Sequence, residues 1–133
     1  NELYQGIDTL LQELANKGHK IILATSKPEP YAIRILQHFQ LQQYFTFICG
    51  SNLDNTRRNK SEIIAHILKQ MEISASDCVM IGDREHDILG AKANHMDSIG
   101  VFFGFGSRDE LETSGATYVV ETVEELRGLI LNR

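Results

Sequence analysis

The sequence predicts an α/β protein with three layers, in which a parallel β-sheet lies between two layers of α-helices. Two observations support this fold class. Short apolar runs alternate with helical patterns along the whole chain, and these runs are continuously apolar where a half-exposed strand would alternate with polar residues. Strands that are buried on both faces and joined through helices form parallel sheets. Ligands of such sheets bind at the carboxyl ends of the strands.

The first elements follow from spacing and from residues that end helices. Residues 7–17 place Ile7, Leu10, Leu11 and Leu14 on one helical face, and Gly18 follows as a helix stop. Residues 21–26 form an apolar run too short for a helix and are predicted as a buried strand. The two prolines that follow favour a helix start, and the next helix is predicted over residues 31–39.

The same criteria predict the rest of the chain. Apolar runs predict four more strands, and helical spacing predicts four more helices. The strands are residues 46–50, 78–83, 98–104 and 118–122, and the helices are residues 61–71, 85–94, 108–114 and 123–131. Residues 51–59 are polar and are predicted to form a loop.

Length and composition indicate one ordinary globular domain over residues 1–133. The chain is 42% hydrophobic and 23% charged, and its net charge of −5 has no long run of either sign. This charge does not favour nucleic acid or an anionic membrane as a partner. No apolar stretch approaches the roughly 20 residues that span a bilayer. The two cysteines lie in apolar runs without C-x-x-C spacing, which predicts buried reduced thiols and a cytoplasmic protein.

Polar residues at two strand ends and at one helix start are the candidate site residues. The first strand ends in Thr25 and Ser26, where a hydroxyl and backbone N–H groups can bind phosphate or simply cap a helix. The third strand ends in Asp83, whose carboxylate can bind a hard cation. Asp87 falls in the first turn of the next helix, a position that the helix dipole also favours. Lys60 begins a helix, where a positive charge is electrostatically unfavourable unless the lysine is solvated or has a function.

In this order, these residues resemble the second, third and fourth motifs of the haloacid dehalogenase-like (HAD) superfamily. The motifs are a threonine after a strand, a lysine at a helix start, and G-D-x-x-x-D from Gly82 to Asp87. Residues 79–130 resemble the phosphoglycolate phosphatase-like branch, with an A-x-x-A-type helix, a V-x-x-G-x-G loop and an A-x-Y-V-V ending. The resemblance covers essentially the whole chain.

The resemblance implies a Rossmann-like core and Mg²⁺-dependent hydrolysis of a small phosphate monoester through an aspartyl-phosphate. By the same resemblance, Thr25, Ser26 and Lys60 bind phosphate. Asp83 and Asp87 form the metal site, with Asp87 holding the outer shell of the metal or Lys60. Lys60 is assigned by context, because residues 50–60 replace the K-P-x-P of many relatives. Arg57 and Arg58 are its nearest alternatives.

One motif of the superfamily is absent from the sequence. No D-x-D occurs, although the D-x-D-G-T motif supplies the nucleophile and the general acid/base of the superfamily. Its strand is expected between the strand that ends at Thr25 and the strand that ends at Asp83. Without it these two strands are expected about 10 Å apart, twice the usual strand spacing. The isolated chain is therefore predicted to be inactive, and to be poorly stable unless it associates with another copy or a complementing fragment.

Two other functions are compatible with these residues. The first is a non-catalytic fragment or degenerate relative that binds phosphate or Mg²⁺ without turnover. The second is a response-regulator receiver domain, which the order of motifs disfavours because receivers carry the acidic pair first and the lysine last. The natural substrate and the oligomeric state stay open at this stage.

Overall fold

The computed structural model describes residues 4–51, 59–103 and 106–132, and it has the predicted α/β architecture. Five strands and six α-helices alternate along the described parts of the chain. The strands are β1 (Ile22–Pro28), β2 (Phe47–Ser51), β3 (Val79–Gly82), β4 (Asp97–Val101) and β5 (Tyr118–Val120). The helices are α1 (Ile7–Asn16), α2 (Glu29–His38), α3 (Lys60–Met71), α4 (Glu85–Ala93), α5 (Arg108–Thr113) and α6 (Val123–Leu131).

All described strand pairs are parallel, and they form two sheets. β1 pairs with β2, with Ile22 opposite Phe47. β3 pairs with β4, and β4 pairs with β5. Among the described residues, no ladder joins β1 to β3, so each of these two strands is at the edge of its sheet.

Helices α3 and α4 connect the two sheets. The two helices pack against each other, while α3 contacts β1 and α4 contacts β3. One layer of helices therefore covers the point where the sheets separate, and it fixes the carboxyl ends of β1 and β3 relative to each other.

The hydrophobic core lies on both sides of the strands. Apolar side chains of α1, β4, β5 and α6 form the larger cluster, which contains Leu10, Leu14, Ile99, Val101, Val120, Leu126 and Ile130. A smaller cluster joins β2 to α3 through Cys49, Ile63 and Ile67. This arrangement explains why the strands are continuously apolar in sequence.

Several element boundaries differ from those predicted, by one to three residues. β1 continues to Pro28 with a change of register after Ala24, and α2 begins directly at Glu29. Pro30 fits the first turn of α2 because the first N–H groups of a helix have no intrahelical partner. β4 ends at Val101, and the Phe102 N–H donates to the Val120 carbonyl at 3.1 Å as the chain turns.

Among the residues that the structure describes, no helix is long and apolar enough to cross a lipid bilayer.

Candidate active site

A capped helix start places Lys60 close to Ala24 of β1. Asn59 caps α3, since its Oδ1 accepts the Glu62 N–H at 3.0 Å and Glu62 Oε1 accepts the Asn59 N–H at 3.2 Å. This reciprocal pair is the capping box, which fixes where a helix begins. Lys60 is the first residue of α3 and is only 8% exposed. It is therefore not the solvated lysine that usually occupies such a position.

The Lys60 ammonium bridges β1 and α4. Lys60 Nζ donates to the Ala24 carbonyl of β1 at 2.9 Å and lies 2.8 Å from Asp87 Oδ1 in α4. Asp87 is 5% exposed, so both members of this ion pair are buried. A buried charge is tolerated when it is paired and hydrogen-bonded, and Lys60 meets both conditions. β1 at Ala24 and the start of α4 are thus held by one cation.

Asp87 also organises the turn after β3. Its Oδ2 accepts the N–H groups of Asp83 at 3.2 Å and of Arg84 at 3.3 Å. Gly82 is buried directly against Asp87, and a Cβ added at Gly82 would overlap the Asp87 side chain. The glycine in G-D-x-x-x-D is therefore required for this close approach.

A carboxylate from α5 holds the outer side of the same turn. Glu110 Oε2 accepts the Glu85 N–H at 2.7 Å and the Arg84 Nε–H at 3.0 Å. The bond from Arg84, followed by the backbone bond from Glu85, lowers the pKa of Glu110, and Glu110 raises the pKa of Arg84. Gly106 packs against the Asp83 carbonyl so closely that a Cβ there would overlap it. Asp83, which is half-buried, is thus held from both sides of its backbone.

The Thr25 hydroxyl lies next to the Lys60 bond, within β1 and not at its end as predicted, because the strand continues to Pro28 after its change of register. Thr25 directly follows Ala24, and its Oγ1 accepts the Lys27 N–H at 3.2 Å. A hydroxyl that accepts this bond still has a hydrogen to donate. Thr25 is half-buried and Ser26 is exposed, so both can be reached from the carboxyl edge of the strands.

The predicted site residues are thus brought together at one edge. A continuous series of bonds runs from Ala24, beside Thr25, through Lys60 and Asp87 to the Asp83 backbone. Glu85 and His86, which lie between the two aspartates in sequence, are exposed. Arg57 and Arg58, the alternatives to Lys60, lie outside the described residues. Within the described ranges, no group of three or more His, Cys, Asp or Glu side chains forms a metal cluster.

Sequence reasoning missed Glu110 and the Ala24 carbonyl. The Ser107–x–x–Glu110 spacing is a helix-start pattern, and the Ser107 hydroxyl does accept the Glu110 N–H at 3.1 Å. That pattern identifies the start of α5 but carries no sign that the Glu110 side chain reaches α4. The carbonyl of Ala24 could not be inferred from residue type, since every residue has one.

Comparison with known proteins agrees with this geometry. The sequence profile of the haloacid dehalogenase-like hydrolases matches residues 1–101. The chain is 43% identical to a 5'-nucleotidase of Pseudomonas aeruginosa over 130 residues, which are 98% of this chain and 59% of that protein. It is 40% identical to the tyrosine-protein kinase PtkA of Mycobacterium tuberculosis over 96% of this chain and 44% of that protein.

Phosphoglycolate phosphatases and solved structures extend the comparison. A phosphoglycolate phosphatase of Colwellia psychrerythraea is 28% identical over 93% of this chain and 55% of its own length. The crystal structure of a predicted phosphatase from Clostridium acetobutylicum superposes with a TM-score of 0.96 at 43% identity. The superposition covers 99% of this chain and 61% of the Clostridium acetobutylicum protein. The chain thus spans about half of the length of the curated relatives that it matches. Together with the profile match over residues 1–101, these similarities show that the chain belongs to the haloacid dehalogenase-like hydrolase family.

Proposed function

We propose that the protein containing this chain hydrolyses a small phosphate monoester with Mg²⁺, through an aspartyl-phosphate. The observation that carries the proposal is the Lys60 ammonium, which is bonded both to the Ala24 carbonyl of β1, beside Thr25, and to Asp87. Hydroxyl, ammonium and carboxylate groups at one edge are the set that phosphoryl transfer needs for binding and charge stabilisation. Relatives named as a 5'-nucleotidase and phosphoglycolate phosphatases support the same reaction class.

In this proposal the residues of the chain have separate roles. Thr25 and the Ser26 backbone donate hydrogen bonds to phosphate oxygens. Lys60 offsets negative charge on the nucleophile and on the transferring phosphoryl group. Asp87 holds Lys60 through Oδ1 and shapes the Asp83 turn through Oδ2. Because both Asp87 oxygens already accept bonds, Asp83 is the better direct ligand for a metal, and Asp87 acts from the outer shell.

The donors that are present fit Mg²⁺. This ion prefers oxygen ligands and commonly takes one or two carboxylates together with water and substrate phosphate. Asp83 supplies a carboxylate at the end of β3, where its backbone is fixed by Asp87 and packed against Gly106. Bound Mg²⁺ would neutralise charge on the phosphoryl group and orient it.

The nucleophile is proposed to come from outside these 133 residues. The sequence has no D-x-D, and β1 and β3 are each at the edge of a sheet in the described structure. Ile81 of β3 is 38% exposed although it lies in an apolar strand. We propose that a parallel strand carrying the D-x-D pairs between β1 and β3. This would bury Ile81, satisfy the strand edges and bring the nucleophile beside Thr25 and Asp83.

The experiment compares the full-length protein with its Asp83→Asn variant on para-nitrophenyl phosphate, with and without Mg²⁺. Asp83→Asn should abolish Mg²⁺-dependent hydrolysis with little effect on folding, because the Asp83 backbone makes the bond to Asp87. Asp97→Asn is the matched control, since Asp97 begins β4 at the opposite end of the strands and should retain activity. No Mg²⁺-dependent hydrolysis in the full-length wild type, or full activity in Asp83→Asn, would refute the proposal.

A second candidate is transfer of the phosphoryl group to a tyrosine hydroxyl. The 40% identity to a protein named as a tyrosine kinase favours testing it. The same assay, run with ATP and a tyrosine-containing peptide, separates the two. Phosphotyrosine formation without release of phosphate from para-nitrophenyl phosphate would support transfer over hydrolysis.

A further inference from the structure

One face of α4 supports the first turn of α3. Asp87, Gly90 and Asn94 are spaced by three and four residues, so they lie on the same side of the helix. Asp87 binds the Lys60 ammonium, and the other two residues contact the backbone around Lys60. The functional assignment accounts for Asp87 but leaves Gly90 and Asn94 without a role.

Asn94 ties the two helices together through its side-chain amide. Its Nδ2 donates to the Ser61 carbonyl of α3 at 3.0 Å and to the Gly90 carbonyl of α4 at 2.9 Å. Ser61 directly follows Lys60 in the first turn of α3. An amide nitrogen has two hydrogens, and here both have acceptors, one on each helix. The bond to Ser61 therefore fixes the position of the α3 backbone at Lys60 relative to α4.

Gly90 sets how close the two helices can come. A Cβ added at Gly90 would lie 3.0 Å from both Cβ and Cγ of Lys60 and 3.1 Å from the Lys60 carbonyl carbon. These distances are shorter than ordinary carbon contacts. Glycine inside a helix is less favourable than alanine, and this contact is the packing reason for its presence in α4.

We propose that Asn94 and Gly90 are positioning residues for Lys60. Gly90 allows the α3 backbone to approach α4, and Asn94 holds it there, so that Lys60 Nζ reaches the Ala24 carbonyl and Asp87 together. The expected effect of these residues on catalysis rests on the function proposed above. Their effect on the position of the Lys60 ammonium does not depend on that function, and it can be measured without an activity assay.

The test measures the labelling rate of Lys60 by an amine-reactive reagent in the full-length protein, read by mass spectrometry. Lys69 is exposed in the last turn of α3. Its labelling rate is the internal reference, because it reports changes that affect the whole of α3 and not Lys60 alone. Asn94→Asp keeps the shape of the side chain but cannot donate to the two carbonyls. It should raise the Lys60:Lys69 labelling ratio by about threefold to tenfold, as loss of the single hydrogen bond to the α3 backbone predicts. Gly90→Ala should raise it as well.

Matched controls exist in α6. Asn132 ends α6 with φ −103° and ψ 9°, almost the backbone of Asn94 at the end of α4, with φ −103° and ψ 12°. Gly128 lies inside α6, and an added Cβ there would meet nothing within 4 Å. Asn132→Ala and Gly128→Ala should leave the labelling ratio unchanged. Asn94→Ser, which keeps one donor, is a milder variant for the case in which Asn94→Asp does not fold, and it should give an intermediate increase.

The outcomes separate this proposal from the proposed function. An unchanged labelling ratio in folded Asn94 and Gly90 variants overturns the positioning role, whatever their activity. A raised ratio together with a reduced kcat supports both proposals. A raised ratio in a full-length protein that hydrolyses no phosphate monoester supports the positioning role and refutes the hydrolytic function.

Discussion

The Lys60–Asp87 pair allows a sharp prediction about stability in the full-length protein. Both side chains are nearly inaccessible and lie 2.8 Å apart. Removing one partner of such a pair leaves a buried, uncompensated charge, which typically destabilises a protein by about 3–5 kcal/mol. Asp87→Asn should fall in this range, because the amide keeps the shape of the side chain while the Lys60 ammonium loses its counter-charge.

The companion variant should be milder. Lys60→Met leaves the Asp87 carboxylate with the N–H groups of Asp83 and Arg84 as donors, so we expect a loss of about 3 kcal/mol, at the lower end of the same range. In the double variant no unpaired charge remains. Its loss should therefore be smaller than the sum of the two single losses by about 0.5–3 kcal/mol, the range typical of contacting residues.

Urea unfolding of the four proteins measures this coupling. Glu13→Gln is the control, since Glu13 forms a surface pair with Arg127 at 2.6 Å that should matter much less. Additive effects of Lys60→Met and Asp87→Asn, within about 0.5 kcal/mol, would refute the reasoning. So would single losses no larger than that of the surface control.

Two further predictions concern the turn after β3. Gly82→Ala should destabilise the protein by about 1–3 kcal/mol, as overpacking does, because its Cβ would overlap Asp87. Gly128→Ala, in open space inside α6, should stabilise it by up to about 1 kcal/mol, and thermal melts of both variants check this pair. The bond to Arg84 lowers the pKa of Glu110 in the folded protein below its ordinary value of 4.5. This bond therefore stabilises the protein fully at pH values above 4.5, and the stabilisation is lost as the pH falls through the lower folded-state pKa. The stability advantage of wild type over Glu110→Gln, followed by urea unfolding against pH, should therefore disappear in acid, and an advantage independent of pH would contradict this.

Much of the fold was predictable because each element depends on its own residues. Continuous apolar runs identified all five strands, and helical spacing together with helix start and stop signals predicted all six helices, α6 with its observed bounds. The boundary errors occur where tertiary contacts override local signals. β4 was predicted to residue 104, but the chain turns after Val101. Neighbouring strands and turns set such limits, and they are not encoded within the segment itself.

The candidate site was predictable in its residue types and order, but not in its bonds. Lys60 and Asp87 were each ambiguous in sequence, because a lysine at a helix start is usually solvated and an acidic residue in a first turn is commonly structural. Their pairing depends on how α3 packs on α4, which residue spacing within either helix does not define. The same is true of Glu110, whose partners Glu85 and Arg84 lie 25 and 26 residues earlier in the chain.

The two cysteines give the molecule a pair of natural reporters. Cys49 in β2 is completely inaccessible, whereas Cys78, immediately before β3, is half-buried, and the two do not form a disulfide with each other. One thiol therefore lies in the β1–β2 sheet, and the other lies next to the start of β3. A thiol reagent can modify Cys49 only when the β1–β2 sheet opens, while Cys78 responds to fluctuations near β3. Comparing the two alkylation rates would reveal whether the halves of the protein open cooperatively or as independent units.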